Sequence, residues 1–318
     1  MMKNIQCPAC RSKHIVKRGK RKQRFRTVQI YQCKECKRRF VTRSLEHKMY
    51  LPKVIYSAIN YYNLGHTLDE TGKLVNKKHK VKTGKSTVHL WIKEFQDLCP
   101  VTTMRERFLG SADVLFTKRF EHENLDYEFM YHKYKLDVLA KEQFPGLAKY
   151  IARFEKGCPD VFFEVGERCS KPNFEVEIQV KRKRNLACKM AGFAVQAARD
   201  NRERHKLVER FMVINDKATI ACEIPVWYWE KTIDNGVTGH IDMLQVRNDL
   251  VYILDYKPGA SREKKAPWQL YHYALALSFR TKIPLKNMRC AWFDETVYYE
   301  YSPIEASVAP LKKKEKRF

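Results

Sequence analysis

The 318-residue chain has no apolar run approaching the roughly 18 residues a membrane-spanning helix needs, and no charged-then-apolar secretory leader. Those absences argue against a membrane protein and set the expectation of a soluble, cytoplasmic one. Acidic residues are also scarce, with 36 Asp and Glu against 62 Lys and Arg, a formal net charge of +26. Such an excess calls for a polyanionic partner, nucleic acid ahead of an anionic membrane surface. No internal repeat stands out, and the only low-complexity stretch is the short basic tail Lys312 to Lys316. The 10 cysteines do not form a disulfide framework: four fall in CxxC pairs and the other six are scattered through core-like stretches, as in a reducing compartment.

The positive charge is concentrated at one end. Residues 1–50 carry 16 Lys and Arg against 2 acids, more than half the net excess, in a segment with few apolar residues. Within it, Cys7-Pro8-Ala9-Cys10 and Cys33-Lys34-Glu35-Cys36 flank Gly19 and the strand-like Phe25 to Tyr31. Two CxxC knuckles let four thiolates converge on one tetrahedral zinc, which such a small segment needs in order to fold. Leu51 to Leu64 has helical apolar spacing ended by Gly65, Thr67 to Val75 reads as a second helix, and Lys85 to Leu98 as a third, with Ser86 or Thr87 as its N-cap. On that third helix Thr87, Val88, Trp91, Ile92 and Phe95 form an apolar stripe, leaving Lys85, Ser86, His89 and Lys93 outside it. Taken together, the cysteine segment resembles the zinc ribbon of several insertion-sequence transposases and their DNA-binding partners. The three helices resemble a helix-turn-helix whose last helix meets DNA through Lys85, Ser86, His89 and Lys93.

A second concentration of chemistry lies further on. Ile241, Met243, Leu244 and Val246, the polar turn Arg247-Asn248-Asp249, then Val251 to Leu254 read as an antiparallel hairpin. Side-chain alternation puts Asp255 and Lys257 on one face and Tyr256 on the other, and in-register pairing brings Asp242 beside them. Two carboxylates and an amine suit a hard divalent cation and an activated water. A helix over Pro267 to Phe279 then carries Gln269 and Tyr273 on one face.

This order, Gly239-His240-Ile241-Asp242, an apolar strand, Asp255-Tyr256-Lys257-Pro258-Gly259, then Gln269 and Tyr273, resembles the PD-(D/E)XK nucleases in their RecB-like branch. The resemblance implies an α/β, restriction-endonuclease-like mixed sheet flanked by helices. It also implies Mg²⁺ or Mn²⁺ on Asp242 and Asp255, Lys257 acting on the attacking water, and Gln269 and Tyr273 facing the bound strand. Glu223, in the strand Ile220 to Val226, stands at the family's conserved-acid position. A long helix from Lys189 to Phe211 is expected to carry a further metal ligand. The matching stretch places Gln196 where the family has His, and His205 lies too far along a continuous helix to replace it. One Cys, Cys290, follows Lys257, so no iron-sulfur cluster is expected. Strands over Met288 to Phe293 and Thr296 to Tyr301 complete the sheet.

The domains expected are a zinc ribbon (1–45), a helix-turn-helix module (46–100) and a nuclease domain (101–318, core about 186–302). Between Val101 and Asn185 the sequence offers less: core aromatics around Phe129 to Tyr134, helices within Leu136 to Phe154, a strand over Glu175 to Val180 and a basic turn Lys181 to Arg184. The function expected is a metal-dependent DNA nuclease targeted by its N-terminal modules. The alternative is a sequence-specific DNA-binding protein of mobile-element origin with a weakened nuclease fold, which Gln196 favours. A third reading, a transposase with strand-transfer activity, suits the N-terminus, but the chain lacks a recognisable triad of widely spaced carboxylates on the expected fold.

Overall fold

The computed structural model describes residues 7, 9–10, 12–23, 26–40, 49–111, 113–122, 125–164, 167–169, 174–230 and 235–310. The basic tail Lys312 to Lys316 and Phe25 lie outside them.

The chain begins with a three-stranded antiparallel sheet of β1 (Ile15–Gln23), β2 (Arg26–Cys33) and β3 (Arg39–Phe40). The β1–β2 register shifts between Lys17 and Lys20, where Gly19 adopts φ 82, a bulge that glycine accommodates without a Cβ penalty. Three helices follow: α1 (Pro52–Asn63), α2 (Leu68–His79) and α3 (Lys85–Phe95). Thr67 and Glu70 form a reciprocal capping box at the start of α2. The α3 N-cap is Gly84, not Ser86 or Thr87, which lie inside the first turn.

The next segment adds a hairpin that sequence periodicity did not resolve, β4 (Leu115–His122) and β5 (Leu125–His132). It is followed by α4 (Lys133–Ala140), α5 (Pro145–Arg153), the short α6 (Asp160–Glu164), β6 (Glu167–Arg168) and β7 (Phe174–Glu177). The expected basic turn is instead a strand, β8 (Lys181–Lys183), at the edge of the main sheet.

The expected long helix is broken. Its first part is α7 (Leu186–Ala194), a 3₁₀ turn covers Val195–Ala197, Ala198 is extended, and α8 (Glu203–Asn215) starts afresh. Then come β9 (Thr219–Glu230), β10 (Asn235–Arg247), β11 (Leu250–Tyr256), α9 (Ala266–Thr281), β12 (Met288–Phe293), β13 (Tyr298–Tyr301) and β14 (Ser307–Pro310), the last paired with β7. The β10–β11 turn has Asn248 at φ 51 and Asp249 at φ 58, the doubly left-handed geometry of a tight two-residue hairpin.

The main sheet runs β4-β5-β9-β10-β11-β12-β13-β8, with β6 pairing in parallel with β10. The β11–β12 pair is parallel and joined by α9, and the other neighbours are antiparallel. This is the mixed, helix-flanked sheet of a restriction-endonuclease-like fold. Helices α4, α5 and α9 pack their apolar residues on one face, and α1, α3, α7 and α8 on the other. The α1–α3 helices therefore share a core with the sheet. Tilted ring pairs link them, with centroids 4.9 Å apart for Phe95 and Phe193, 5.0 Å for Phe193 and Phe211, and 5.6 Å for Phe211 and Tyr56. Asn215 links α8 to α1 through buried amide hydrogen bonds of 2.7 Å with both Asn63 and Asn60. No helix among the described residues is long and apolar enough to cross a membrane.

Candidate active site

Register assembles the site. Met243 pairs with Leu254 on one side of β10 and with Cys222 on the other, and Ile241 pairs with Ile224. The next position along places Asp242 opposite Asp255 and opposite Glu223. Directly opposed residues share a face, so three carboxylates stand in a row across three adjacent strands. Lys257, two residues beyond Asp255, turns back on the same face, with its Nζ 2.8 Å from Asp255 Oδ2. Asp242 Oδ2 accepts a 3.2 Å hydrogen bond from the Tyr256 backbone N–H.

The break before α8 brings a fourth group to the row. His205 Nε2 lies 3.2 Å from Asp242 Oδ2, and Nδ1 lies 2.7 Å from Glu209 Oε1, one turn further along the helix. Ligand atoms of His205, Asp242 and Asp255 lie within 4.8 Å of one another, as do those of His205, Glu209 and Glu223. Glu223 adopts φ 54, a left-handed conformation disfavoured for a side chain with a Cβ and found at functional sites held by surrounding structure.

Gln196 is not among the residues lining the cavity at this group. It sits in the 3₁₀ turn after α7, where its Nε2 donates back to the Gly192 carbonyl at 2.9 Å. The expectation that His205 lies too far away assumed one uninterrupted helix. The interruption at Ala198 to Arg202 re-aims the chain and turns His205 toward Asp242. The sequence signal was the His205-x₃-Glu209 spacing, which puts a base and an acid on one helical face.

The electrostatics are those of crowded negative charge. Asp255 is fully buried, with Lys257 Nζ on its Oδ2 and the Asp242 carboxylate beside it. Burial, reinforced by Asp242 and only partly offset by Lys257, pushes its pKa up to about 8. Burial also holds the Glu223 carboxyl well above the usual range, with Glu209 and Asp242 adding to the effect. Desolvation would lower the His205 pKa, but the carboxylates of Asp242, Glu209 and Asp255 outweigh it and raise it well above its ordinary value. Desolvation would likewise lower Lys257, yet Asp255 and Asp242 raise it, so the amine stays charged.

A buried carboxylate that meets Lys257 and faces a second carboxylate and an imidazole is a donor set that fits a hard divalent cation. The cavity beside it, about 220 Å³, is lined by Asp242, Glu223, His205, His240, Gln269 and Tyr273, among others. Gln269 Nε2 donates to the Tyr273 hydroxyl at 2.7 Å. The Tyr273 ring rests on the bare backbone of Gly239, where a Cβ would come within 2.5 Å of it. His240, on the Asp242 face, stacks on Tyr127 at 3.5 Å with the rings nearly parallel. The sequence did not point to Tyr127, because it belongs to the unforeseen hairpin.

The family model of the PD-(D/E)XK nuclease superfamily matches residues 28–297. The chain belongs to the PD-(D/E)XK nuclease superfamily. No curated protein and no solved structure is a significant match to it. Nucleases of this superfamily use divalent metals, and among the described residues His205, Asp242 and Asp255 form one group that could hold such an ion.

The N-terminal cysteines form a second candidate centre. Cys7 Sγ lies 3.4 Å from Cys36 Sγ and Cys10 Sγ 3.5 Å from Cys33 Sγ, and all four converge within 4.8 Å. Those separations approach the roughly 3.8 Å edge of a tetrahedron with zinc–sulfur bonds of about 2.3 Å. On α3, Lys85, Ser86, His89 and Lys93 are exposed, as is Leu90, and Lys85 Nζ lies 3.6 Å from Asp69 at the start of α2.

Proposed function

We propose that this protein is a metal-dependent DNA nuclease, of the RecB-like branch of its superfamily, directed to DNA by its N-terminal zinc ribbon and helix-turn-helix. The observation that carries the reading is the register that aligns Glu223, Asp242 and Asp255 across three strands, with Lys257 on Asp255. Asp242 and Asp255 hold Mg²⁺ or Mn²⁺, and His205 takes the place expected of Gln196. When bound, the cation supplies Lewis-acid stabilisation of charge at phosphorus and lowers the pKa of a water. Lys257, kept charged by the two Asp carboxylates, serves as donor and electrostatic stabiliser and not as the base. It orients the attacking water and offsets the negative charge that builds on the phosphoryl oxygens. Gln269 and Tyr273, coupled to each other at the cavity wall, position the strand. Glu223 lies beside His205 and Glu209 on the wall of the same cavity, where its carboxyl adds to the charge around the Asp242 site.

Cys7, Cys10, Cys33 and Cys36 hold a structural zinc, and the exposed Lys85, Ser86, His89 and Lys93 face DNA. The net charge of +26 supports a polyanionic substrate. The binding-protein alternative rested on Gln196, and His205 supplies the imidazole that Gln196 lacks. Full-length protein incubated with labelled single-stranded, blunt duplex and circular DNA in Mg²⁺, Mn²⁺ or EDTA tests the reading. Cleavage in either metal and none in EDTA is expected; intact DNA in every arm overturns it.

A further inference from the structure

Glu209 occupies a place where a carboxylate is costly. It is 2% exposed, flanked on α8 by the core residues Val208, Phe211 and Met212. Among the described residues no Lys or Arg lies within ion-pair distance of it. The ionisable groups facing it are His205 on its own helix, and Glu223 and Cys222 on β9, with the Glu223 carboxyl within hydrogen-bonding reach of it. Even a buried carboxylate paired with an imidazole carries a desolvation penalty, and a well-packed apolar residue often serves stability as well or better. Packing alone therefore gives no reason for Glu at this position.

Geometry gives one. The 2.7 Å contact from Glu209 Oε1 engages His205 Nδ1, and the opposite ring nitrogen, Nε2, is then the atom 3.2 Å from Asp242 Oδ2. Adjacent ligand atoms around an octahedral cation with bonds of about 2.1 Å lie roughly 3 Å apart, so Nε2 and Oδ2 stand at ligand-pair spacing. A neutral imidazole offers a lone pair on one nitrogen only, and the partner of the other nitrogen decides which.

We propose that Glu209 is a positioning residue: it accepts a hydrogen bond from His205 Nδ1–H and thereby fixes the ring with Nε2 turned to a divalent cation beside Asp242. The proposal rests on the metal-dependent reading above and adds to it the group that selects tautomer and ring orientation. Glu209 acts only through His205. Without it the ring is free to rotate, or to present its N–H where a lone pair is needed. Outer-sphere carboxylates of this kind commonly contribute 10- to 100-fold to metal affinity.

The test uses full-length protein with Glu209→Gln and Glu209→Leu. Gln keeps an acceptor oxygen, and Leu fills the volume without one. Mn²⁺ affinity is measured by calorimetry, and the ¹⁵N shifts of the His205 ring are recorded in the Mg²⁺-loaded protein. Glu209→Leu is expected to weaken Mn²⁺ about 10- to 100-fold and lose the Nδ1–H signature, while Glu209→Gln stays close to wild type in both. Glu209→Leu with wild-type Mn²⁺ affinity, or Glu209→Gln falling as far as Glu209→Leu, overturns the proposal. Should Glu209→Leu not fold, a Glu209→Ala and His205→Ala cycle decides: additive losses in Mn²⁺ affinity overturn the proposal, and no further loss once His205 is gone supports it. Wild type that binds no Mn²⁺ sinks the metal-dependent reading and this proposal together. Wild-type binding with an indifferent Glu209 sinks this one alone.

Discussion

At Asp255 a strand position decides the chemistry. The side chain is buried beside Asp242, and its pKa is pushed up to about 8 by burial first and that neighbour second. The folded metal-free protein thus binds a proton there that the unfolded chain, with an ordinary Asp pKa of about 4, releases. Stability is expected to fall as pH rises from about 4 to about 8 and to level off above, by an amount on the order of a few kcal/mol. Thermal melts of wild type and Asp255→Asn across that window check this: the gap between them should widen with pH and close on adding Mn²⁺, which replaces the proton. Gly239→Ala tests the neighbouring wall. Its Cβ would meet the Tyr273 ring at 2.5 Å, so the ring and the Gln269 amide bonded to it should shift. The loss of cleavage is expected to be about 10-fold or more, since small displacements of positioning groups cost that much, while cation affinity stays near wild type. Asp242, Asp255 and Lys257 were legible in the sequence because strand alternation is rigid, and a turn of two left-handed residues fixes register. His205 was not, because its place depends on where a helix stops. No charge or apolar pattern between Ala198 and Arg202 announces that stop.

At the scale of elements, what could be read followed local periodicity. The hairpin, α9 and the closing strands were visible in their apolar spacing. The β4–β5 hairpin was masked by dense aromatics whose alternation is spoiled by buried residues on both faces, and β8 was masked because all three of its residues are basic and exposed. The docking of α1 onto α8 is likewise a tertiary fact, carried by Asn60, Asn63 and Asn215. Asn215→Ala leaves two buried amides short of a partner and should cost about 1–3 kcal/mol, read as a lower unfolding midpoint. Because α1 and α3 share their core with the sheet, the loss should appear in a single transition that includes the nuclease sheet. At the N-terminal cysteine cluster, metal analysis should find about one zinc per chain. Cys33→Ser should release it and weaken DNA binding; zinc retained in full after that change contradicts a four-thiolate site.

Over the whole molecule, charge and architecture divide the labour. The N-terminal strands and α3 carry exposed basic residues, among them Lys17, Lys20, Lys85 and Lys93, and the carboxylate row lies on β9, β10 and β11. Binding of full-length Asp255→Asn protein to duplex DNA should weaken steeply with salt, with a log–log slope that counts the phosphates neutralised. Lys85→Ala and His89→Ala should reduce sequence preference more than non-specific affinity, as expected if α3 meets base edges. The central claim is that cleavage needs a cation held by the Asp242–Asp255 pair. Its most direct test is the rate at which full-length wild type and Asp255→Asn cut labelled DNA in Mn²⁺, with folding and DNA binding of both verified. Asp255→Asn is expected to lose about 10³-fold or more in rate, the equivalent of several kcal/mol of transition-state stabilisation, with DNA binding retained. Equal rates in the two proteins, or cleavage by wild type that persists in EDTA, would contradict it.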